Sequence, residues 1–122
     1  MDILLVDDDE IALKSMGRFL RRCGHDIGTA FDGTEALQRM QETVPDVVIS
    51  DIQMPGMNGL DLLEAIRVRF SGIPVILITG HGSVATAVSA LQKGAYDYIR
   101  KPVQLEKLVA ALERIDEREY RS

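Results

Sequence analysis

Hydrophobic residues along the chain form short unbroken runs that alternate with longer stretches of mixed polarity. Three runs, at residues 3–6, 47–49 and 75–78, lack the polar alternation of a half-exposed strand, which is typical of strands buried on both faces. Weaker strands are indicated at residues 26–30 and 96–99. The pattern therefore predicts five strands, of which three are central.

The intervening stretches space their apolar residues three or four positions apart, which predicts amphipathic helices. The residues that carry this spacing are Ile11, Met16, Phe19, Leu20 and Cys23; Ala36, Leu37 and Met40; Leu62, Leu63 and Ile66; and Val84, Val88 and Leu91. A fifth helix from about residue 104 is expected to have a solvated tail from residue 116 and to bury Leu105, Leu108, Val109, Leu112 and Ile115.

Residues at the helix ends support this division into helices and strands. Asp9 and Ser83 are expected as N-caps, and Gly24 and Gly94 stand where left-handed C-terminal caps belong.

Strands that alternate with helices need crossover connections, so the sheet should be parallel with helices on both faces. We expect a three-layer α/β fold of the (βα)₅ doubly wound type, a single domain over residues 1–122 with no output domain in this chain.

The composition of the chain argues against nucleic acid and membranes as binding partners. The 122 residues carry a formal net charge of −5 and no run of Lys and Arg, so direct binding of nucleic acid is not expected. The longest apolar run, residues 75–78, is far shorter than a membrane span, and no signal peptide is evident. The single cysteine, Cys23, is expected to be a buried thiol in a reducing compartment. We expect a soluble cytoplasmic protein.

Polar residues stand at the ends of four predicted strands. Asp7 and Asp8 follow the first strand, Asp51 follows the third, Thr79 ends the fourth and Lys101 follows the fifth. Because parallel strands end at one edge of the sheet, these side chains should share a crevice. Three carboxylates so close need compensating positive charge, and oxygen ligands favour Mg²⁺ or Mn²⁺. The sequence therefore predicts a divalent metal site.

Some of these acidic residues could instead have a purely structural role. Asp9 is expected to cap the first helix rather than to bind metal, and the acidic run at residues 7–10 would also favour the helix dipole. Asp51, taken alone, could be a turn aspartate ahead of Pro55 and Gly56. The matching groups at the other strand ends favour a binding site.

Four motifs in chain order carry a family resemblance. They are LLVDD at residues 4–8, DIQMPGMNG at residues 51–59, ITG at residues 78–80 and Lys101-Pro102. Together they resemble the receiver domains of two-component response regulators over nearly the whole chain. The resemblance implies a flavodoxin-like strand order of 2-1-3-4-5, for which a receiver domain is a known example.

The resemblance also implies a role for each residue of the acidic site. Asp51 would be the phosphoacceptor, and Asp8 and Asp51 would bind the metal together with the backbone carbonyl of Gln53. Asp7 would act through a metal-bound water. Phosphoryl transfer depends mainly on positioning and charge neutralisation, which suits a carboxylate nucleophile held beside a metal.

Other positions would support transfer and signalling. Thr79 and Lys101 would contact phosphoryl oxygens, and the bond before Pro102 resembles the cis peptide of the family. Tyr98 matches an aromatic that changes rotamer on activation. Gln53 and His81 would tune the lifetime of the phosphoryl group.

The implied function is that of a switch rather than an enzyme, with catalysis limited to its own phosphorylation and dephosphorylation. The donor would be a phosphohistidine of a sensor histidine kinase. The signal would leave through the fourth helix, the fifth strand and the fifth helix, toward an output domain or effector. Residues 79–82 and 96–99 resemble receiver domains that are attached to transcriptional activators, so the output would be control of transcription. Homodimerisation through the same face is compatible with the sequence.

Three other functions fit parts of the pattern. A phosphatase of the haloacid-dehalogenase class would use Asp7 and Asp9 as a D-x-D nucleophile, but it leaves Asp51 without a role. A flavodoxin would need a phosphate loop after the first strand, where this chain has four acidic residues. A receiver that acts only as an interaction module would not need the intact acidic site.

Overall fold

Helices and strands alternate along the chain, and all the strands belong to one sheet. This computed structural model describes residues 1–80, 82 and 84–121. Its elements are β1 (Asp2–Val6), α1 (Glu10–Arg22), β2 (Asp26–Ala30), α2 (Gly33–Glu42), β3 (Val47–Asp51), α3 (Gly59–Arg69), β4 (Val75–Thr79), α4 (Val84–Gln92), β5 (Asp97–Arg100) and α5 (Leu105–Arg121). The strand order is β2-β1-β3-β4-β5 and every pairing is parallel. The predicted fold and strand order are confirmed.

The two faces of the sheet carry separate apolar cores. Alternate residues of β1 point in opposite directions, so Leu4 and Val6 pack beneath α2, α3 and α4, whereas Ile3 and Leu5 pack beneath α1 and α5. Every residue of β3 and β4 is buried. This is the burial expected of central parallel strands.

Most of the predicted helix ends are present. The Asp9 carboxylate accepts the backbone N–H groups of Ile11 and Ala12 at the start of α1. Gly24 and Gly94 have positive φ angles of 95° and 101° and follow the C-terminal ends of α1 and α4. Ser83, the expected N-cap of α4, lies outside the described residues.

The structure corrects several burial assignments. Cys23 is exposed because α1 ends at the residue before it and leaves the thiol at the surface. Leu105 is exposed at the first turn of α5. Ile11 of α1 and three apolar residues of α4 (Val84, Val88 and Leu91) are exposed as well, so helical spacing was a poor guide to burial in α4. Helix α5 extends through the polar tail to Arg121. Within the described part of the chain, no helix has the length and apolar character that crossing a bilayer requires.

Candidate functional site

Three carboxylates meet where β1 and β3 end. Asp51 is the last residue of β3, and Asp7 and Asp8 directly follow β1. One oxygen of each carboxylate lies within 4.8 Å of one oxygen of each of the others. Asp7 and Asp51 are buried and Asp8 is exposed. The cluster therefore has a buried side and a solvent-accessible side.

Backbone hydrogen bonds hold the cluster in place. The N–H of Asp7 donates to the carbonyl of Ala30 at 3.1 Å, which extends the β1–β2 pairing by one residue. The Asp7 carboxylate accepts the N–H of Asp9 at 2.9 Å, which turns the chain into α1. Because the adjoining strands are buried, the carboxylates cannot easily separate to relieve their repulsion.

The loop after Asp51 is fixed by close packing at Gly59. The N–H of Gly59 donates to the carbonyl of Ile52 at 2.8 Å. A Cβ at Gly59 would contact the carbonyl oxygen of Asp51 and would lie 2.7 Å from the Cα of Ile52. Only glycine leaves room for α3 to begin so close to the acidic cluster. This requirement was not identified from the sequence, where Gly59 is only the last residue of the motif at residues 51–59.

Lys101, which directly follows β5, supplies positive charge to the cluster. Its Nζ lies 3.4 Å from Oδ2 of Asp7 and 3.3 Å from Oδ2 of Asp51. The backbone N–H of Lys101 donates to the carbonyl of Thr79 at 2.8 Å, which joins the end of β5 to the end of β4. The peptide bond between Lys101 and Pro102 is cis.

The acidic cluster carries more negative charge than Lys101 can neutralise, and the pKa values of Asp7 and Lys101 are both shifted. Burial raises the pKa of Asp7 and the charge of Asp51 adds to this, while the N–H of Asp9 and the charge of Lys101 oppose it. Burial alone would lower the pKa of Lys101, but the charges of Asp7 and Asp51 outweigh that effect and raise it. Lys101 therefore stays protonated and contacts two of the carboxylates, but its single positive charge does not balance a cluster of three.

This donor set fits a hard divalent cation. Asp7, Asp8 and Asp51 offer only oxygen atoms, and the exposed Asp8 leaves one side of the cluster open to water. Mg²⁺ binds through a few carboxylates and keeps several waters, which matches such a half-open site. Gln53 is exposed and, together with Asp8, lines a concave surface with a volume of about 530 Å³.

Thr79 and Tyr98 pack together beside the cluster. Thr79 ends β4 and is 1% exposed. A Cβ at Gly82 would contact the Tyr98 hydroxyl and would lie 2.8 Å from Cγ2 of Thr79. The Tyr98 side chain is thus turned inward, and its buried hydroxyl has no hydrogen-bond partner among the described residues. The need for glycine at position 82 has no signal in the sequence alone.

The sequence-predicted residues thus divide into groups. Asp7, Asp8, Asp51 and Lys101 form one cluster. Thr79 stands at the adjacent strand end with Tyr98 beyond it, and Gln53 lies on the rim next to Asp8. His81 lies outside the described residues.

A parallel doubly wound sheet with an acidic cluster and a lysine at its carboxyl edge defines a flavodoxin-like α/β domain. The family described as response regulator receiver domain matches residues 3–113. The chain belongs to this family of phosphoacceptor modules of two-component signalling.

Individual relatives agree with this assignment. The chain is similar to the C4-dicarboxylate transport transcriptional regulatory protein DctD of Rhizobium meliloti (strain 1021), with 40% identity over 95% of this chain and 25% of the relative. It is 42% identical to the DNA-binding transcriptional regulator NtrC of Escherichia coli (strain K12) over 92% of this chain and 24% of the relative. The chain thus spans about a quarter of the length of these relatives.

A solved structure shows the same fold along almost the whole chain. The response regulator receiver domain protein from Clostridium thermocellum superposes with a TM-score of 0.92 at 35% identity, covering 98% of this chain and 96% of that one.

If the acidic cluster binds a divalent cation, Mg²⁺ should stabilise the fold. At ten times its Kd, Mg²⁺ should add about 1.4 kcal/mol, or roughly 5 °C in Tm. The gain should shrink as the pH falls toward the raised pKa of Asp7, because a protonated carboxyl attracts the cation less. Thermal unfolding with and without Mg²⁺ measures this effect.

The matched control compares neighbouring aspartates. Asp8→Asn should abolish the response to Mg²⁺. Asp9→Asn should keep it, because Asp9 is engaged as the N-cap of α1 and asparagine caps equally well. An equal response in wild type and Asp8→Asn would contradict the metal site.

Proposed function

We propose that this chain accepts a phosphoryl group on the carboxylate of Asp51. The observation that carries the proposal is the meeting of Asp7, Asp8 and Asp51 at one sheet edge, with the Lys101 ammonium 3.3 Å from the Asp51 carboxylate. Lys101 and the bound cation would neutralise the charge that an incoming phosphoryl dianion meets, and Thr79 would donate a hydrogen bond to a phosphoryl oxygen. The cation would be Mg²⁺ or Mn²⁺, held by Asp7, Asp8, Asp51 and the backbone carbonyl of Gln53.

In this reaction an oxygen of Asp51 forms a bond to phosphorus while the bond between phosphorus and the donor nitrogen breaks, and the product is an acyl phosphate. The donor would be a phosphohistidine on a sensor histidine kinase in the cytoplasm. Catalysis would be confined to the chain's own phosphorylation and dephosphorylation. DctD and NtrC are named as transcriptional regulators, and we infer an output partner or domain of that kind here.

A phosphatase with Asp7 as its nucleophile is the main enzyme alternative. It would require Asp9 as the second residue of a D-x-D motif. The Asp9 side chain is instead exposed and accepts two backbone N–H groups of α1. This capping role favours Asp51 as the acceptor.

The first test is labelling with acetyl phosphate and Mg²⁺, read by intact mass and peptide mapping. Wild type and Asp9→Asn should each take up one phosphoryl group on the peptide that contains Asp51. Asp51→Asn should take up none, and a chelator should abolish labelling of the wild type. Stoichiometric labelling of Asp51→Asn, or a phosphoryl group on Asp7, would sink the assignment.

We further propose that the signal leaves through α4, β5 and α5. The inward Tyr98 ring touches the region of Thr79 and Gly82, so a movement of Thr79 toward the phosphoryl group would change its packing. A buried hydroxyl without a partner costs about 1–3 kcal/mol. The inward position of Tyr98 is therefore not strongly favoured, and a small local change can shift its population.

Backbone NMR with a beryllofluoride mimic of the phosphoryl group tests this route. Amide shifts should extend from Thr79 through α4 to Tyr98, while amides of α2, on the far side of α3, should barely move. Shifts confined to residues next to Asp51 would contradict the route. Concentration-dependent relaxation in the same samples would reveal homodimerisation through this face.

The lifetime of the acyl phosphate is proposed to depend on Gln53 and His81. Gln53 is exposed on the rim of the cluster, where its amide could orient a water. A neutral imidazole at position 81 would instead shield the acyl phosphate from water. Autodephosphorylation of His81→Ala at pH 7 should then be faster than that of wild type. An unchanged rate would mean that His81 has no kinetic role, and a slower rate that it assists the water.

A further inference from the structure

Helix α4 is joined to the body of the domain by very little apolar contact. Ala90 is its one buried residue, whereas α3 buries Leu62, Leu63 and Ile66. Three apolar side chains face solvent, at 82% exposure for Val84, 46% for Val88 and 50% for Leu91. Packing alone therefore holds α4 weakly.

The C-terminal end of α4 is held by polar groups instead. The N–H of Gly94 donates to the carbonyl of Leu91 and the N–H of Ala95 to that of Ala90, each at 3.0 Å. A guanidinium N–H of Arg67, on α3, donates to the carbonyl of Lys93. Two helices are thus tied at one point.

A second contact reinforces this tie. Nζ of Lys93 lies 3.2 Å from Oε1 of Glu64, which stands one turn before Arg67 on α3. The last carbonyl groups of a helix lack intrahelical partners and carry its negative dipole end, so a guanidinium is a suitable donor there. A Cβ at Gly94 would contact Arg67, so this glycine also gives the guanidinium its access.

We propose that Arg67, aided by Glu64, is a positioning residue that anchors the C-terminal end of α4 to α3. The output helix then moves about that end when the domain switches. This inference rests on the proposed function, because it describes how the proposed output face moves. Helix α3 is a suitable reference, since it begins at Gly59 against the backbone of Asp51 and its apolar face is buried. At about 1.5 Å per residue, the nine residues of α4 place its first turn about 13 Å from the anchor.

Amide hydrogen exchange of the unphosphorylated protein tests the anchor itself. Arg67→Ala should speed exchange at Gly94 and Ala95 by about tenfold or more, the effect of losing a hydrogen bond from a charged group. Arg67→Lys should restore part of the protection, since an ammonium can still donate to the carbonyl. Arg69→Ala is the matched control, because Arg69 is an exposed arginine of the same helix. Protection unchanged in Arg67→Ala would overturn the proposal.

The beryllofluoride spectra separate the anchor from the proposed function. In wild type, shifts should be largest near Val84 and fall toward Ala95, and in Arg67→Ala they should spread to Gly94 and Ala95. Equal shifts along all of α4 in wild type would contradict a pivot at its C-terminal end. Absence of shifts anywhere on α4 would instead count against the proposed output face, and the exchange rates would still decide whether Arg67 anchors the helix.

Discussion

The main electrostatic constraint on the domain is the repulsion between three carboxylates, whose oxygens the fold holds within 4.8 Å of one another. Asp7 and Asp51 are attached to strands whose side chains are packed on both faces, so backbone movement cannot relieve it. Lys101 offsets part of the negative charge, and the pKa of Asp7 is raised chiefly by burial, with a smaller contribution from the charge of Asp51. Such a site gains stability from any additional positive charge. Binding of the proposed cation and arrival of the proposed phosphoryl group would act on the same charge imbalance and would therefore be thermodynamically coupled.

The two faces of the sheet differ in how completely their helices are packed. Helix α5 buries Leu108, Leu112 and Ile115 against one face. On the other face α2 and α3 are well packed, but α4 contributes only Ala90 to the core. The part of the domain that bears the acidic cluster is thus well packed, and the least packed helix of this face, α4, lies beside Thr79 and Tyr98. Close packing at the acidic cluster and weak packing of α4 would together allow a local change of charge to alter the surface formed by α4, β5 and α5.

The sequence was sufficient to predict the features set by short-range pattern. Buried strands read as apolar runs, and the chemistry at their ends located Asp7, Asp8, Asp51 and Lys101. It failed where the outcome depends on tertiary contacts. The spacing in α4 is that of a buried helix, yet Val84, Val88 and Leu91 are exposed because no element of the described part of the chain covers them. The contact between Arg67 and Lys93 joins residues 26 positions apart. Helix α1 likewise gathers Lys14, Arg18, Arg21 and Arg22 on one surface, although no basic run marks the sequence.

Sparse packing of α4 is what a switch of this kind requires energetically. Reversing a two-state equilibrium from about 1:99 to 99:1 takes about 5.5 kcal/mol of differential binding. Full burial of one leucine or valine is worth about 1.5–3 kcal/mol. If Val84, Val88 and Leu91 were all buried in one state only, their combined burial of about 4.5–9 kcal/mol would be comparable to or larger than that figure, and the modification would have to supply this energy as well. Because these side chains face solvent, and because the Tyr98 hydroxyl has no partner among the residues that the structure describes, the two proposed states would lie within reach of a single modification.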